Sequence, residues 1–170
     1  MVVAFDVETT GLNPHESKVV LIGMKAGGET RQWKLWEIGD EAKMILTAIE
    51  ELLRTNETII GYNNLKFDVP FVIERLKVLG FYKPEFWDIY SKSWFDLYQY
   101  LGNDYRSLVG WLQRAGIKKE YADLKGKDMP TFFESKDYDK IVNHNLDDLN
   151  TSEELFRFLK KTNPDLIPFD

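Results

Sequence analysis

Residues 2–8, Val-Val-Ala-Phe-Asp-Val-Glu, are an apolar run broken by two carboxylates. The run reads as a buried strand, and a buried strand has no ordinary use for bare charge. Asp6 and Glu8 stand two residues apart, so on a pleated strand they share a face, roughly 7 Å apart along the backbone. Like-charge repulsion and lost hydration both penalise such a pair. A hard divalent cation between them, magnesium or manganese, removes both penalties. The competing arrangement is a strand whose acids simply face solvent.

The 170 residues suit one domain, residues 1–170, with room for a substantial core. Hydrophobic content of 44% with 14% aromatics excludes a disordered chain. With no 18-residue apolar run and no charged-then-apolar leader, the expectation is a soluble, unprocessed, cytoplasmic protein that uses no membrane. The absence of cysteine excludes disulfides, thiolate metal sites and thiol nucleophiles. The net charge of −6 argues against a nucleic-acid binder. That argument weakens if several acids hold metal, because bound cations then attract phosphate.

Along the chain, Gly11-Leu12-Asn13-Pro14 is turn chemistry. Residues 18–24 and 30–36 read as strands joined by a Gly27-Gly28 hairpin, completing an antiparallel meander with the first strand. Asp40 caps a segment whose apolar residues repeat at helical spacing from Ala42 to Leu53. Residues 58–62 fit a parallel fourth strand returning through that helix. Residues 65–79 predict a helix with Pro70 in its first turn, 94–101 a fifth strand, 104–115 a helix ended by Gly116, and 135–161 one long or broken helix. The order predicts an α/β fold with a mixed five-stranded sheet flanked by helices.

Two further acidic stretches stand out. Asn63-Asn64-Leu65-Lys66-Phe67-Asp68 follows the fourth strand, where open α/β sheets bind ligands. Asp68 lies among Phe67, Val69 and Phe71, and reads either as a ligand or as an ordinary first-turn helix acid. In His144-Asn145-Leu146-Asp147-Asp148, residues 144 and 148 share a helix face, suitable for a base beside a metal-binding carboxylate. Alternatively, Asn145 caps a helix with Asp148 at its third position.

Taken in order, the Asp-x-Glu-Thr-Thr-Gly strand, the Asn-x-x-Phe-Asp helix start and the late His/Asp pair resemble the DEDD 3'–5' exonucleases. That family belongs to the ribonuclease H-like superfamily and includes polymerase proofreading domains. The resemblance covers nearly the whole chain and implies a ribonuclease H-like fold. It implies that Asp6, Glu8, Asp68 and Asp148 bind two magnesium or manganese ions roughly 4 Å apart, and that His144 is the general base. It also implies that Thr9, Thr10, Gly11, Leu12 and Asn64 bind substrate, with Leu12 wedged against a base. The activity implied is hydrolysis from the 3' end of single-stranded nucleic acid, releasing nucleoside 5'-monophosphates; DNA is favoured over RNA because the sequence identifies no reader of the 2'-hydroxyl. Stand-alone relatives are often homo-oligomers, and that is a further expectation.

The chain departs from the family at one point. The histidine branch usually has four residues between His and Asp, whereas His144 and Asp148 are separated by three, the spacing of the tyrosine branch. Asp147 is the alternative ligand if the helix is rotated.

Aromatics are dense from Phe81 to Trp111, with Lys83, Lys92 and Arg106 interleaved. Base-stacking platforms look like this, but so do an aromatic core or an oligomer interface, which the reading favours. Asp96 is a supporting acid or a strand-end cap. Lys118-Lys119 and Lys125-Gly126-Lys127 read as a solvated loop, with phosphate contact as the alternative.

Overall fold

The computed structural model describes residues 1–102 and 108–164. A five-stranded sheet forms its centre, in the order β3-β2-β1-β4-β5. These strands are β1 (Val2–Thr9), β2 (Val19–Ala26), β3 (Glu29–Lys34), β4 (Thr58–Gly61) and β5 (Trp94–Asp96). β1 pairs antiparallel with β2 and parallel with β4; β2–β3 is antiparallel and β4–β5 parallel. The predicted mixed sheet is therefore present. Gly27 and Gly28 both take positive φ at the β2–β3 turn (58° and 88°), which a two-residue hairpin of this hand requires.

Several boundaries differ from the sequence expectation. β3 stops at Lys34, and Leu35–Ile38 coils into a single helical turn, α1. The predicted strand over 94–101 is only three residues long. The Asp96 carboxylate then accepts from the Tyr98 amide and starts a short helix, α4 (Leu97–Leu101). The late helical stretch predicted over 135–161 is one long helix, α7 (Tyr138–Thr162), and a separate short helix, α6 (Met129–Glu134), precedes it and ends before Lys136, which sits at φ 61°. The predicted helix over 104–115 is described as α5 (Leu108–Ala115), with Gly116 at φ 72° beyond it. Tyr105 and Arg106 lie outside the described residues.

The remaining helices, α2 (Glu41–Arg54) and α3 (Asp68–Val78), cover one face of the sheet; α5 and α7 cover the other. Period-two alternation divides β1 between these layers. Val3, Phe5 and Val7 enter the core under α2 and α3, while Ala4 joins the core under α7. Asp6 and Glu8 therefore belong to the α7 side. Only there can they meet residues from the end of the chain.

Candidate active site

The parallel β1–β4 ladder ends at Ala4–Ile60. Beyond it the two strands diverge, and β1 backbone groups on that edge lose their strand partners. Buried backbone polar groups need replacements, and side chains supply them. The Asn64 amide donates to the Phe5 carbonyl at 3.0 Å, and Asp68 Oδ1 accepts from the Val7 amide at 3.0 Å. Asp96 does the same for the next loop, accepting from the amides of Asn63 (2.9 Å) and Leu65 (3.0 Å). It is thus both a supporting acid and a helix cap. Asn63 itself is left-handed, at φ 69°, a conformation asparagine tolerates.

Across the sheet, α7 projects His144, Asn145 and Asp148 toward β1. His144 Nδ1 lies 2.7 Å from Glu8 Oε1 and 3.6 Å from Asp148 Oδ2. Ligand atoms of Glu8, His144 and Asp148 fall within 4.8 Å of one another, a group able to hold a metal ion. Asn145 donates to Asp6 Oδ2 at 2.8 Å and accepts from the Gln32 amide at 2.9 Å. It is fully buried in mid-helix, so it is no helix cap. Its seat exists because Gly23 on β2 has no side chain: a Cβ there would overlap Asn145 Oδ1. Gly61 opens the same kind of space for Asn64. A glycine inside a strand is the sequence signal of such a close approach.

Asp147 is oriented away from this group. Its two oxygens accept from the amides of Glu120 and Tyr121, both at 3.1 Å. That pairing draws the neighbouring loop onto α7 and delivers Lys119, which forms an ion pair with Asp148. The Lys119 side chain is 8% exposed, so the sequence reading of a solvated loop is corrected at this residue. Lys125 and Gly126, from the same loop, line a cleft of about 650 Å³ together with Asp6, Tyr62, Lys119, His144 and Asp148.

Electrostatics marks these acids as unusual. Burial pushes the Asp6 carboxyl well above the ordinary range, reinforced by the charges of Glu8, Asp148 and Asp68 and opposed by the Asn145 hydrogen bond. Burial raises Asp68 to about 8, although hydrogen bonds from its own amide and Val7 pull the other way. Glu8 is raised by burial against the His144 hydrogen bond. For His144, burial favours the neutral ring, but the Glu8 hydrogen bond and the charges of Glu8 and Asp148 outweigh it and raise its pKa. Such strongly perturbed groups converging in a cleft mark a functional-site candidate.

The substrate-binding candidates divide. Leu12 is 84% exposed at the tip of its loop. Thr9 and Thr10 use their hydroxyls within that loop: Thr9 donates to the Gly11 carbonyl, and Thr10 accepts from the Lys18 amide, both at 2.8 Å. Gly11 lies so close to Ser17 that a Cβ would meet its hydroxyl. Asn64 is 1% exposed, so it ties β1 in place and is out of reach of a ligand in the cleft. Sequence reasoning named Lys119 only as part of a loop in solvent or against phosphate and Asn145 only as a helix cap, and it missed the strand glycines.

The chain matches the RNase H superfamily over residues 3–160. It is 30% identical to an uncharacterized protein of Methanocaldococcus jannaschii, with 91% of this chain and 92% of the relative aligned. DNA polymerase 2 of Aeropyrum pernix is 34% identical over 85 residues, which are 46% of this chain and 10% of the polymerase. Among solved structures, the family B DNA polymerase of Pyrobaculum calidifontis superposes with a TM-score of 0.76 at 21% identity, over 93% of this chain and 24% of that one. Escherichia coli exonuclease I in complex with a dT13 oligonucleotide gives 0.66 at 15% identity, over 97% and 42%. The chain thus spans less than half the length of either solved enzyme, and these likenesses concern the fold.

Proposed function

Because this chain belongs to the RNase H superfamily, we propose that it is a metal-dependent 3'–5' exonuclease acting on single-stranded nucleic acid, DNA in preference to RNA. The observation that carries the reading is the convergence of Asp6, Glu8, Asp68 and Asp148 beside His144, with Asp6 and Asp68 held well above the ordinary carboxylate range by burial and Glu8 raised as well. Four acids so placed suit hard divalent ions, and Asp6, Glu8, Asp68 and Asp148 would hold two magnesium or manganese ions. When bound, such ions supply Lewis acidity toward the scissile phosphate and offset charge on the attacking and leaving oxygens.

The chain's own residues do the rest. His144 has Nδ1 engaged by Glu8, so Nε2 is the nitrogen that accepts the proton of the attacking water. The water oxygen bonds to phosphorus and the bond from phosphorus to the 3' oxygen of the penultimate nucleotide breaks. The departing 3' oxygen takes a proton from solvent, so a nucleoside 5'-monophosphate leaves and the shortened strand keeps a 3'-hydroxyl. Lys119, lining the same cleft, adds positive charge where the transition state gains negative charge. Leu12 packs against the terminal base.

The test is digestion of 3'- and 5'-labelled single strands of DNA and RNA in magnesium, with a circular single strand as control. The expected result is stepwise loss from the 3' end, with Asp6→Ala reducing the rate at least a hundredfold. Hydrolysis by Asp6→Ala at the wild-type rate removes the metal-site reading, and cleavage of the circle reassigns the activity to an endonuclease. Full rate in His144→Ala removes the general base from the scheme.

A further inference from the structure

A second cavity, of about 310 Å³, runs from the loop after β1, at Leu12, past the start of α3, at Lys66 and Phe67, to Lys77 and Trp87. Leu12 stands four residues after Glu8 and Phe67 immediately before Asp68, so one end of the cavity is formed by the segments that carry these two acids. Its far wall lies in the 3-10 helical segment Pro84–Ser91. There the apolar side chains divide: Phe86 and Ile89 are buried in the core, whereas Trp87 is 48% exposed.

The Trp87 ring is set in advance. Its indole N–H donates to the Tyr82 hydroxyl at 2.6 Å, and its face stacks on Tyr90 with centroids 5.4 Å apart. The Lys77 ammonium lies 5.3 Å from the Tyr82 ring centre and 5.7 Å from that of Trp87. Lys77 is also tied to Glu74, at 2.7 Å. Lys66 lies 5.3 Å over the Tyr98 ring and forms no ion pair with a carboxylate among the described residues. A fixed, half-exposed indole loses little freedom on contact, and an ammonium without a carboxylate partner suits a phosphate.

We propose that Trp87 is a stacking platform for an unpaired base of the single strand whose 3' end enters the acidic cleft, with Lys66 meeting its phosphate. This rests on the exonuclease reading for the identity of the strand. Charge and position favour the occupant: the apolar wall is edged by lysines, and the cavity begins at residues beside the proposed catalytic carboxylates. A protein partner has no need of that continuity.

The test is fluorescence anisotropy of 5'-labelled dT12 titrated with the full chain in calcium chloride, over a range of salt concentrations. Trp87→Ala is expected to weaken binding by roughly tenfold, the effect of losing about one stacked base, whereas Trp87→Phe keeps most of the affinity. Lys66→Ala lowers the slope of log affinity against log salt by about 0.7, one phosphate contact on a single strand. Phe158→Ala, another exposed aromatic that lines a different cavity, leaves affinity where it was. Wild-type affinity in Trp87→Ala, or equal losses in Trp87→Ala and Phe158→Ala, overturns the platform. Trp87-dependent binding by a wild-type chain that hydrolyses nothing in magnesium supports the platform while ending the exonuclease reading. Magnesium-dependent hydrolysis with Trp87-independent binding does the reverse.

Discussion

Lys119 places its ammonium on Asp148, and the side chain beside it in sequence to Asp148 explains how. Asp147 holds the Glu120 and Tyr121 amides, so adjacent carboxylates on α7 divide the work between shaping the loop and receiving its lysine. A part-buried carboxylate with a cation already at hand binds a second cation less well, because the two compete for the same charge. Lys119→Met is therefore expected to tighten magnesium binding by about tenfold, roughly 1.4 kcal/mol, measured by calorimetric titration. Weaker binding in the variant means that the lysine organises the acids instead of competing at them. Asp6 and Glu8 are legible in the sequence because strand alternation is local and has period two. Lys119 is not, since its direction depends on an amide pairing to Asp147 across 26 and 27 positions of chain.

At the scale of elements, β1 and β4 part company after Ala4 and side chains of the next loop complete the edge. The motif Asn-x-x-x-Asp from 64 to 68 is thus a structural repair as well as a source of acid. Its seat demands glycine at 61, where a Cβ would overlap Asn64 Oδ1 and the Phe5 carbonyl. Gly61→Ala should cost about 1–3 kcal/mol, read as a lower urea midpoint with unchanged slope. A neutral outcome means that the strands can separate further without loss. The loop bearing Leu12 is fixed by a different device. Arg75 of α3 forms a bidentate pair with Glu41 of α2 and donates to the Pro14 carbonyl at 2.9 Å, while Glu41 also accepts from the Val19 amide. Helices and strands of this chain are readable from periodicity and caps. The Arg75 bridge is not, because an arginine in an amphipathic helix looks the same whether it meets water or a buried glutamate.

In the molecule as a whole, Asp6, Glu8, Asp68 and His144 have pKa values shifted upward. Folding therefore favours their protonated forms. Between about pH 4, where an unfolded aspartate ionises, and about pH 8, where Asp68 does so when folded, the native state binds more protons than the unfolded one. Stability must fall as pH rises through that window. Thermal scans of metal-free protein should give a lower midpoint at pH 8 than at pH 5.5, and magnesium should restore much of the difference at pH 8 by binding the ionised form. A midpoint that rises with pH without metal contradicts the electrostatic picture of the site.

The hydrogen bond from the Val7 amide to Asp68 Oδ1 joins the innermost strand directly to a titrating acid. Amide resonances respond to the charge of their acceptor, so Val7 is a spectroscopic reporter placed by the fold itself. In a ¹⁵N-labelled sample without metal, its proton shift should trace a titration with a midpoint near 8, the value to which burial lifts Asp68. Magnesium added at fixed pH should move the same peak as it draws electron density from the carboxylate. One backbone signal thus records both proton and metal occupancy, with no substitution in the site. A Val7 peak indifferent to both separates Asp68 from the cluster.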